Sequence, residues 1–202
     1  MQEKRGIAIF GGSFNPPLNS HITLAKEILK KFKVLEKLIF VPVSTRYQKE
    51  SLVSDNHRYN MLKLICKKED KLEVSDVELN LDKQLYTIQT LDIFKNKYKN
   101  YDIYFVMGTD NLKELNTWKE AERILSDYKV IVLERNDDNL CEVINKDELL
   151  KKYRQALIKI DNIGKIYLSS TMIREKIKNG EDIQQFIDKD VLNYVRQNNL
   201  YR

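Results

Sequence analysis

Apolar and polar positions follow two periods along the chain. Short runs dense in Ile, Val, Leu and Phe read as strands at Ile7–Phe10, Lys37–Val43, Leu72–Leu79, Ile103–Met107, Val130–Glu134 and Lys165–Leu168. Between them, apolar residues recur at helical spacing. That spacing predicts helices over Ser20–Phe32, Asn56–Lys67, Thr87–Tyr98, Lys146–Arg154, Ser170–Asn179 and Asp188–Gln197, and an irregular helical stretch from Asn111 to Leu125. Strands separated by helices of this length argue for parallel βαβ units. The run Leu38-Ile39-Phe40-Val41 is apolar on both faces, as a central parallel strand should be. The expected class is α/β: a doubly wound parallel sheet with helices on both faces. Residues 1–202 would form one domain, with 170–202 as a small helical C-terminal section. Polar residues 136–146 read as a loop, and Gly180 reads as a helix C-cap and turn. In such sheets ligands bind beyond the carboxyl ends of the strands.

Composition narrows the function classes. The chain has 202 residues and is 42% hydrophobic, enough for a sizeable core. No apolar stretch approaches the roughly 20 residues of a membrane span. The N-terminus is charged within its first five residues and carries no signal-peptide apolar segment, so a cytoplasmic location is expected. Cys66 and Cys141 have no Cys or His nearby at metal spacing; both read as core thiols, and no metal site is expected from side chains. The net charge of +5 comes from lysines scattered among acids, as in Lys67-Lys68-Glu69-Asp70-Lys71. That is a solvated mixed-charge surface rather than one for nucleic acid or membrane. Its positive bias still draws in polyphosphates. A homo-oligomer is left open.

Chemistry concentrates at two places. The first strand runs into Gly11-Gly12-Ser13-Phe14-Asn15-Pro16-Pro17, and a helical pattern follows Asn19 and Ser20, either of which could cap it. A strand, a glycine loop and a helix N-terminus make an anion site, because backbone N–H groups and the helix dipole favour negative charge there. His21 would sit in the first turn. Two glycines after a strand also suit a plain βα turn. The second place is Ser169-Ser170-Thr171-Met172-Ile173-Arg174. Ser170 or Thr171 could cap a helix and donate to phosphate, and the planar fork of Arg174 suits phosphate oxygens. A simple cap with a surface arginine fits the same local pattern.

The first run resembles the nucleotidyltransferase signature Gly-Gly-Ser/Thr-Phe-Asp-Pro leading to His-x-Gly-His, and the second resembles its Ile-Ser-Ser-Thr-x-Ile-Arg element. Further segments are similar to those of bacterial nicotinate-nucleotide adenylyltransferases: Arg58 with Met61-Leu62, Ser75-Asp76 with Glu78, Tyr86 through Leu91, Phe105 through Asp110, Trp118, and the stretch from Val191 to Tyr201. The resemblance implies a Rossmann-like fold and transfer of AMP from ATP, with Mg2+, to nicotinate mononucleotide, giving deamido-NAD and pyrophosphate. It implies backbone contacts to the nucleotides from Gly12, Ser13 and Phe14. His21 and Arg174 would act in catalysis, His21 on the ATP phosphates. Ser170, Thr171 and Arg174 would bind triphosphate or adenine. Gly108 and Asp110 would border adenosine. Thr87 and Trp118 would meet the nicotinate ring, and Arg135 the mononucleotide phosphate. From local pattern alone, a core aromatic is the commoner fate of a single tryptophan such as Trp118, and Asp110 could be only a helix cap.

The chain departs from the signature at three positions. Asn15 stands for the usual Asp, Leu18 for the first His, and Ser20 for the Gly. Leucine cannot donate a hydrogen bond, so returning a histidine to position 18 is expected to raise turnover. The departures leave a second function open, a nucleotide-binding relative that keeps the pocket with impaired catalysis.

Overall fold

The structure is a computed structural model describing residues 4–46, 52–79, 81–135, 137–160 and 169–202. Its elements in chain order are β1 (Gly6–Gly12), α1 (Asn19–Lys31), β2 (Leu35–Pro42), α2 (Asp55–Cys66), β3 (Leu72–Val74), α3 (Thr87–Lys97), β4 (Asp102–Gly108), α4 (Thr109–Glu114), α5 (Ala121–Asp127), β5 (Lys129–Leu133), α6 (Leu140–Asn145), α7 (Glu148–Lys152), β6 (Leu157–Lys159), α8 (Ser170–Lys178) and α9 (Lys189–Gln197). The sheet order is β3-β2-β1-β4-β5-β6. This is the doubly wound Rossmann-like order, whose direction reverses between β1 and β4.

The chain divides into two compact units. The first comprises residues 1–11, 32–37 and 85–167. In it β1 runs parallel to β4 from Gly6–Asp102 to Phe10–Val106, and β4 runs parallel to β5 up to Gly108–Leu133. β5 pairs in parallel with β6. The apolar runs Ile7–Phe10 and Ile103–Met107 are buried throughout, which is why neither strand shows an alternating pattern. The ends of β1 and β4 emerge side by side, where a doubly wound sheet takes its ligands.

The second unit comprises residues 12–31, 38–84 and 168–202. β2 and β3 pair in parallel from Leu38–Leu72 to Phe40–Val74. Its core gathers Leu18, Met61, Ile65, Ile173, Ile183, Ile187, Val191, Leu192 and Val195 with Leu200 and Tyr201. On α9 the buried residues are Val191, Leu192 and Val195, a single apolar stripe at helical spacing.

Several boundaries differ from the sequence expectation. The polar loop at 136–146 contains α6, because Leu140, Val143 and Ile144 share one buried face and Asn139 caps the helix through Cys141 and Glu142 N–H. The single helix expected over 146–154 is instead α7, capped by the Asp147 carboxylate. β3 ends at Val74, where Ser75 N–H still donates to Phe40 O and Leu79 N–H then closes a turn on Asp76 O. β6 is an addition to the expected strands: two half-buried residues and an exposed lysine leave little pattern. The strand expected at Lys165–Leu168 lies outside the described residues. Gly180 does follow α8 with a left-handed φ of 70°, a conformation glycine adopts without strain. Cys66 is partly buried and its thiol is pushed up to about 12, first by burial. Cys141 is exposed rather than a core thiol. No helix among the described residues is long and apolar enough to cross a membrane.

Candidate active site

In the second unit the two sequence elements singled out above meet. The Ser170 hydroxyl donates to Pro16 O at 2.9 Å, and Arg174 Nη1 donates to Asn15 O at 3.0 Å. Arg174 Nη2 also donates to Thr171 Oγ1 at 3.2 Å. The residue that caps α8 is Ser169, whose hydroxyl accepts from Met172 N–H, rather than Ser170 or Thr171. That leaves Ser170 to hold the opening loop and Thr171 exposed at the helix start. Arg174 also borders a cleft of about 300 Å³ together with Glu175, Lys178, Tyr201 and Arg202, so basic side chains outnumber the one acidic side chain along it.

The opening loop is fixed from several sides. Gly12 O accepts from Val43 N–H at 3.0 Å, and Ser13 O accepts from Arg58 Nη1 at 3.0 Å. Phe14 is buried in the left-handed region at φ 46°, its ring edge-on to both His21 and Phe40 at 5.3 Å. Asn15 is 1% exposed, and its Oδ1 accepts from Val53 N–H and from the Tyr201 hydroxyl. Arg58, 0% exposed, bonds Val53 O through Nε and the Asp55 carboxylate through Nη2. Burial pushes the Arg58 guanidinium below its ordinary value, and Asp55 pushes it back up. Asp55 also accepts from Thr45 N–H and the Ser44 hydroxyl.

At the start of α1, Leu18 O accepts from His21 N–H, and Leu18 N–H donates to His21 Nδ1 at 3.0 Å. The imidazole thus reaches back to the residue before the helix, as a Glu or Gln does in a capping box. With Nδ1 accepting, a neutral ring carries its proton on Nε2. Neither Asn19 nor Ser20 caps the helix, since both lie inside it. Asn19 Nδ2 donates to Gln185 O, and the Ser20 hydroxyl is enclosed without a hydrogen-bond partner among the described residues. Leu18 is 1% exposed and belongs to the core cluster, so the position of the missing histidine is filled with apolar side chain.

In the first unit three of the singled-out residues converge. Arg135 Nη1 lies 3.2 Å from Asp110 Oδ2, and Arg135 N–H donates to Thr109 Oγ1. Gly108 sits beneath this pair. A Cβ there would collide with the Asp110 carboxylate and lie 2.8 Å from Arg135 Nε. The helix cap is Gly108 itself, so Asp110 is not the cap but an acid in the first turn. Thr87 opens α3, half-buried. Trp118 is half-buried as well, with its ring 6.4 Å from that of Phe105. It is therefore neither a fully enclosed core aromatic nor a free surface ring.

The sequence reading assigned no task to Arg58, Asp55 or Tyr201. The first and last stood in segments that resembled the family, but a buried role leaves no mark in an arginine or a tyrosine. Ser169 was missed because three adjacent hydroxyl residues offer the same cap.

A parallel doubly wound sheet, a glycine loop entering a helix and a late Ser-Thr helix start define a class. The cytidylyltransferase-like family profile matches residues 9–176, and the chain belongs to that family of nucleotidyltransferases. Within it, the chain belongs to the nicotinate-nucleotide adenylyltransferases. It is 36% identical over 198 residues to a protein of Clostridium tetani named "Probable nicotinate-nucleotide adenylyltransferase", covering 96% of this chain and 98% of the relative. A relative of the same name from Carboxydothermus hydrogenoformans is 34% identical over 197 residues, covering 97% and 98%. A solved structure of Plasmodium falciparum nicotinic acid mononucleotide adenylyltransferase complexed with NaAD matches with a TM-score of 0.80 at 25% identity, covering 98% of this chain and 97% of that one.

Proposed function

We propose that this protein transfers AMP from Mg·ATP to nicotinate mononucleotide, giving deamido-NAD and pyrophosphate in NAD biosynthesis. The observation that carries the substrate is the near-full-length likeness to relatives bearing that name. The chemistry asks for little covalent help. A phosphate monoester has a second pKa near about 6, so at neutral pH the nucleophile is already mostly a dianion. Its oxygen attacks the α-phosphorus of ATP. The new P–O bond forms as the bond to the bridging oxygen breaks, and pyrophosphate leaves with that electron pair. No general base or covalent intermediate is required. The protein must align two anions and neutralise charge on the leaving group. Magnesium belongs to the substrate and offsets phosphate charge; among the described residues no three His, Cys, Asp or Glu side chains gather to hold a resident ion.

In this reading the backbone of Gly12, Ser13 and Phe14 contacts the nucleotides, and His21 meets the ATP phosphates through Nε2. The bond from Leu18 N–H to Nδ1 supports that assignment, because it orients the ring and fixes its tautomer. Ser170, Thr171 and Arg174 serve the triphosphate or adenine, with two of the three also holding the opening loop. Gly108 and Asp110 border adenosine, where the lack of a Cβ at Gly108 makes room for the Asp110 and Arg135 side chains. Thr87 and Trp118 meet the nicotinate ring. Arg135 reaches the mononucleotide phosphate while sharing its guanidinium with Asp110.

The deciding assay is pyrophosphate release with Mg·ATP and nicotinate mononucleotide, with nicotinamide mononucleotide as the competing acceptor. Turnover with the nicotinate acceptor is expected. One observation favours a second reading: Leu18 replaces a motif histidine and lies in the core. A nucleotide-binding relative without turnover would titrate with ATP yet release no pyrophosphate, and that result would sink the first reading.

A further inference from the structure

We propose that Tyr201 is a positioning residue for the phosphate loop, acting through the Asn15 side chain. The proposal rests on the adenylyl-transfer reading and assigns that site a support from the far end of the chain. The Tyr201 hydroxyl lies 3.0 Å from Asn15 Oδ1, across 186 positions of sequence. The carboxamide oxygen only accepts, so the phenol donates. Burial raises the Tyr201 ionisation against the opposing pull of Arg174 and Arg58, so the proton stays on the hydroxyl throughout the working range.

The chain is shaped to deliver this hydroxyl. After α9, Leu200 N–H bonds back to Val195 O, and both Asn199 and Tyr201 take left-handed φ values of 50° and 67°. Left-handed backbone is strained for a tyrosine, so contacts must hold it there. They do: Tyr201 is 8% exposed within the cluster that includes Leu18 and Ile173. At its target, Asn15 Oδ1 receives a second donor, Val53 N–H at 3.2 Å, and Asn15 O receives Arg174. Two donors on one oxygen leave the side chain a single orientation. Asn15 is flanked by Phe14, whose left-handed φ sets the bend of the loop, and by Pro16, whose carbonyl Ser170 holds. Tyr201 therefore holds one side of a residue at the centre of the loop. Acting through Asn15, Tyr201 then sets the precision of the loop that contacts the nucleotide.

Tyr201→Phe removes only the hydroxyl. Steady-state pyrophosphate release is measured for wild type, Tyr201→Phe, Asn15→Ala and the double variant, with thermal melting of each. Tyr201→Phe should lower kcat/KM for Mg·ATP about tenfold and leave KM for nicotinate mononucleotide within about twofold, while the protein remains folded at the assay temperature. In the Asn15→Ala background the same change should add less than about a twofold loss, since its route is gone. An unchanged kcat/KM in Tyr201→Phe overturns the proposal. So does an equal loss in both backgrounds, or a loss that follows the fraction unfolded. If wild type binds ATP but releases no pyrophosphate, the adenylyl-transfer reading alone fails. The ATP dissociation constant then carries the test: about tenfold weakening in Tyr201→Phe supports positioning, and equal affinity overturns it. Absence of ATP binding in wild type overturns both.

Discussion

Leu18 shows how the meaning of one residue changes with its surroundings. At a polar site a leucine would be a missing donor, and returning the histidine would restore rate. Here the side chain is packed among Met61, Ile65, Ile173 and Val191, and its backbone N–H is what orients His21. Leu18→His therefore buries an imidazole in apolar surroundings, at a cost of about 1–3 kcal/mol. The expected outcome is a lower denaturation midpoint with no gain in pyrophosphate release. A gain in kcat with unchanged stability would mean that the ring swings out of the core. Ser20 carries the converse lesson: at the motif's glycine position it encloses a polar hydroxyl that has no hydrogen-bond partner among the described residues.

At the scale of elements, the opening loop is a product of the segments packed behind it. Arg58 on α2 holds Ser13 O and Val53 O while paired with Asp55, which itself gathers Ser44 and Thr45. Arg58→Ala would leave Asp55 and two carbonyls without that guanidinium. Breaking a buried pair in this way costs roughly 3–5 kcal/mol. Urea denaturation should show that loss, and pyrophosphate release should fall in the protein that remains folded. A midpoint shift equivalent to less than about 1 kcal/mol would show that water replaces the guanidinium. Such a network was not legible in the sequence. The apolar runs of β1, β2, β4 and β5 were, because strands buried on both faces leave unbroken hydrophobic signatures. The opening loop and the start of α8 were legible too, since paired glycines and a Ser-Ser-Thr run ahead of an apolar helical pattern both mark the entry to a helix. The short helix α6 was hidden by its polar flanks, and the task of Arg58 by its charge, which ordinarily marks an exposed side chain.

At the scale of the whole molecule, stability in acid is tied to carboxylates held in the ionised form. Asp188 caps α9 through Asp190 N–H and receives the Lys68 ammonium at 2.8 Å. Burial alone would raise its pKa, but the bonds from Lys68 and from backbone N–H outweigh burial and hold it below the usual range. A depressed carboxylate contributes stability above its unfolded pKa of about 3.9, and that contribution fades as pH falls through the lower folded value. Urea midpoints should be flat near neutrality and drop below about pH 4. The drop should be shallower in Asp188→Asn, which keeps the cap but loses the charge; identical acid limbs would remove Asp188 from the account. A last consequence concerns synthesis. The second unit joins residues 12–31 and 38–84 to 168–202, and Asn15 emerges from the ribosome long before Tyr201. A nascent chain halted near residue 165 has Leu18 and Met61 without the helices that cover them. Such a chain has the signature loop held by Val43, Val53 and Arg58 but lacks the contacts from Ser170, Arg174 and Tyr201, so competence for the reaction waits on the translation of residues 169–201.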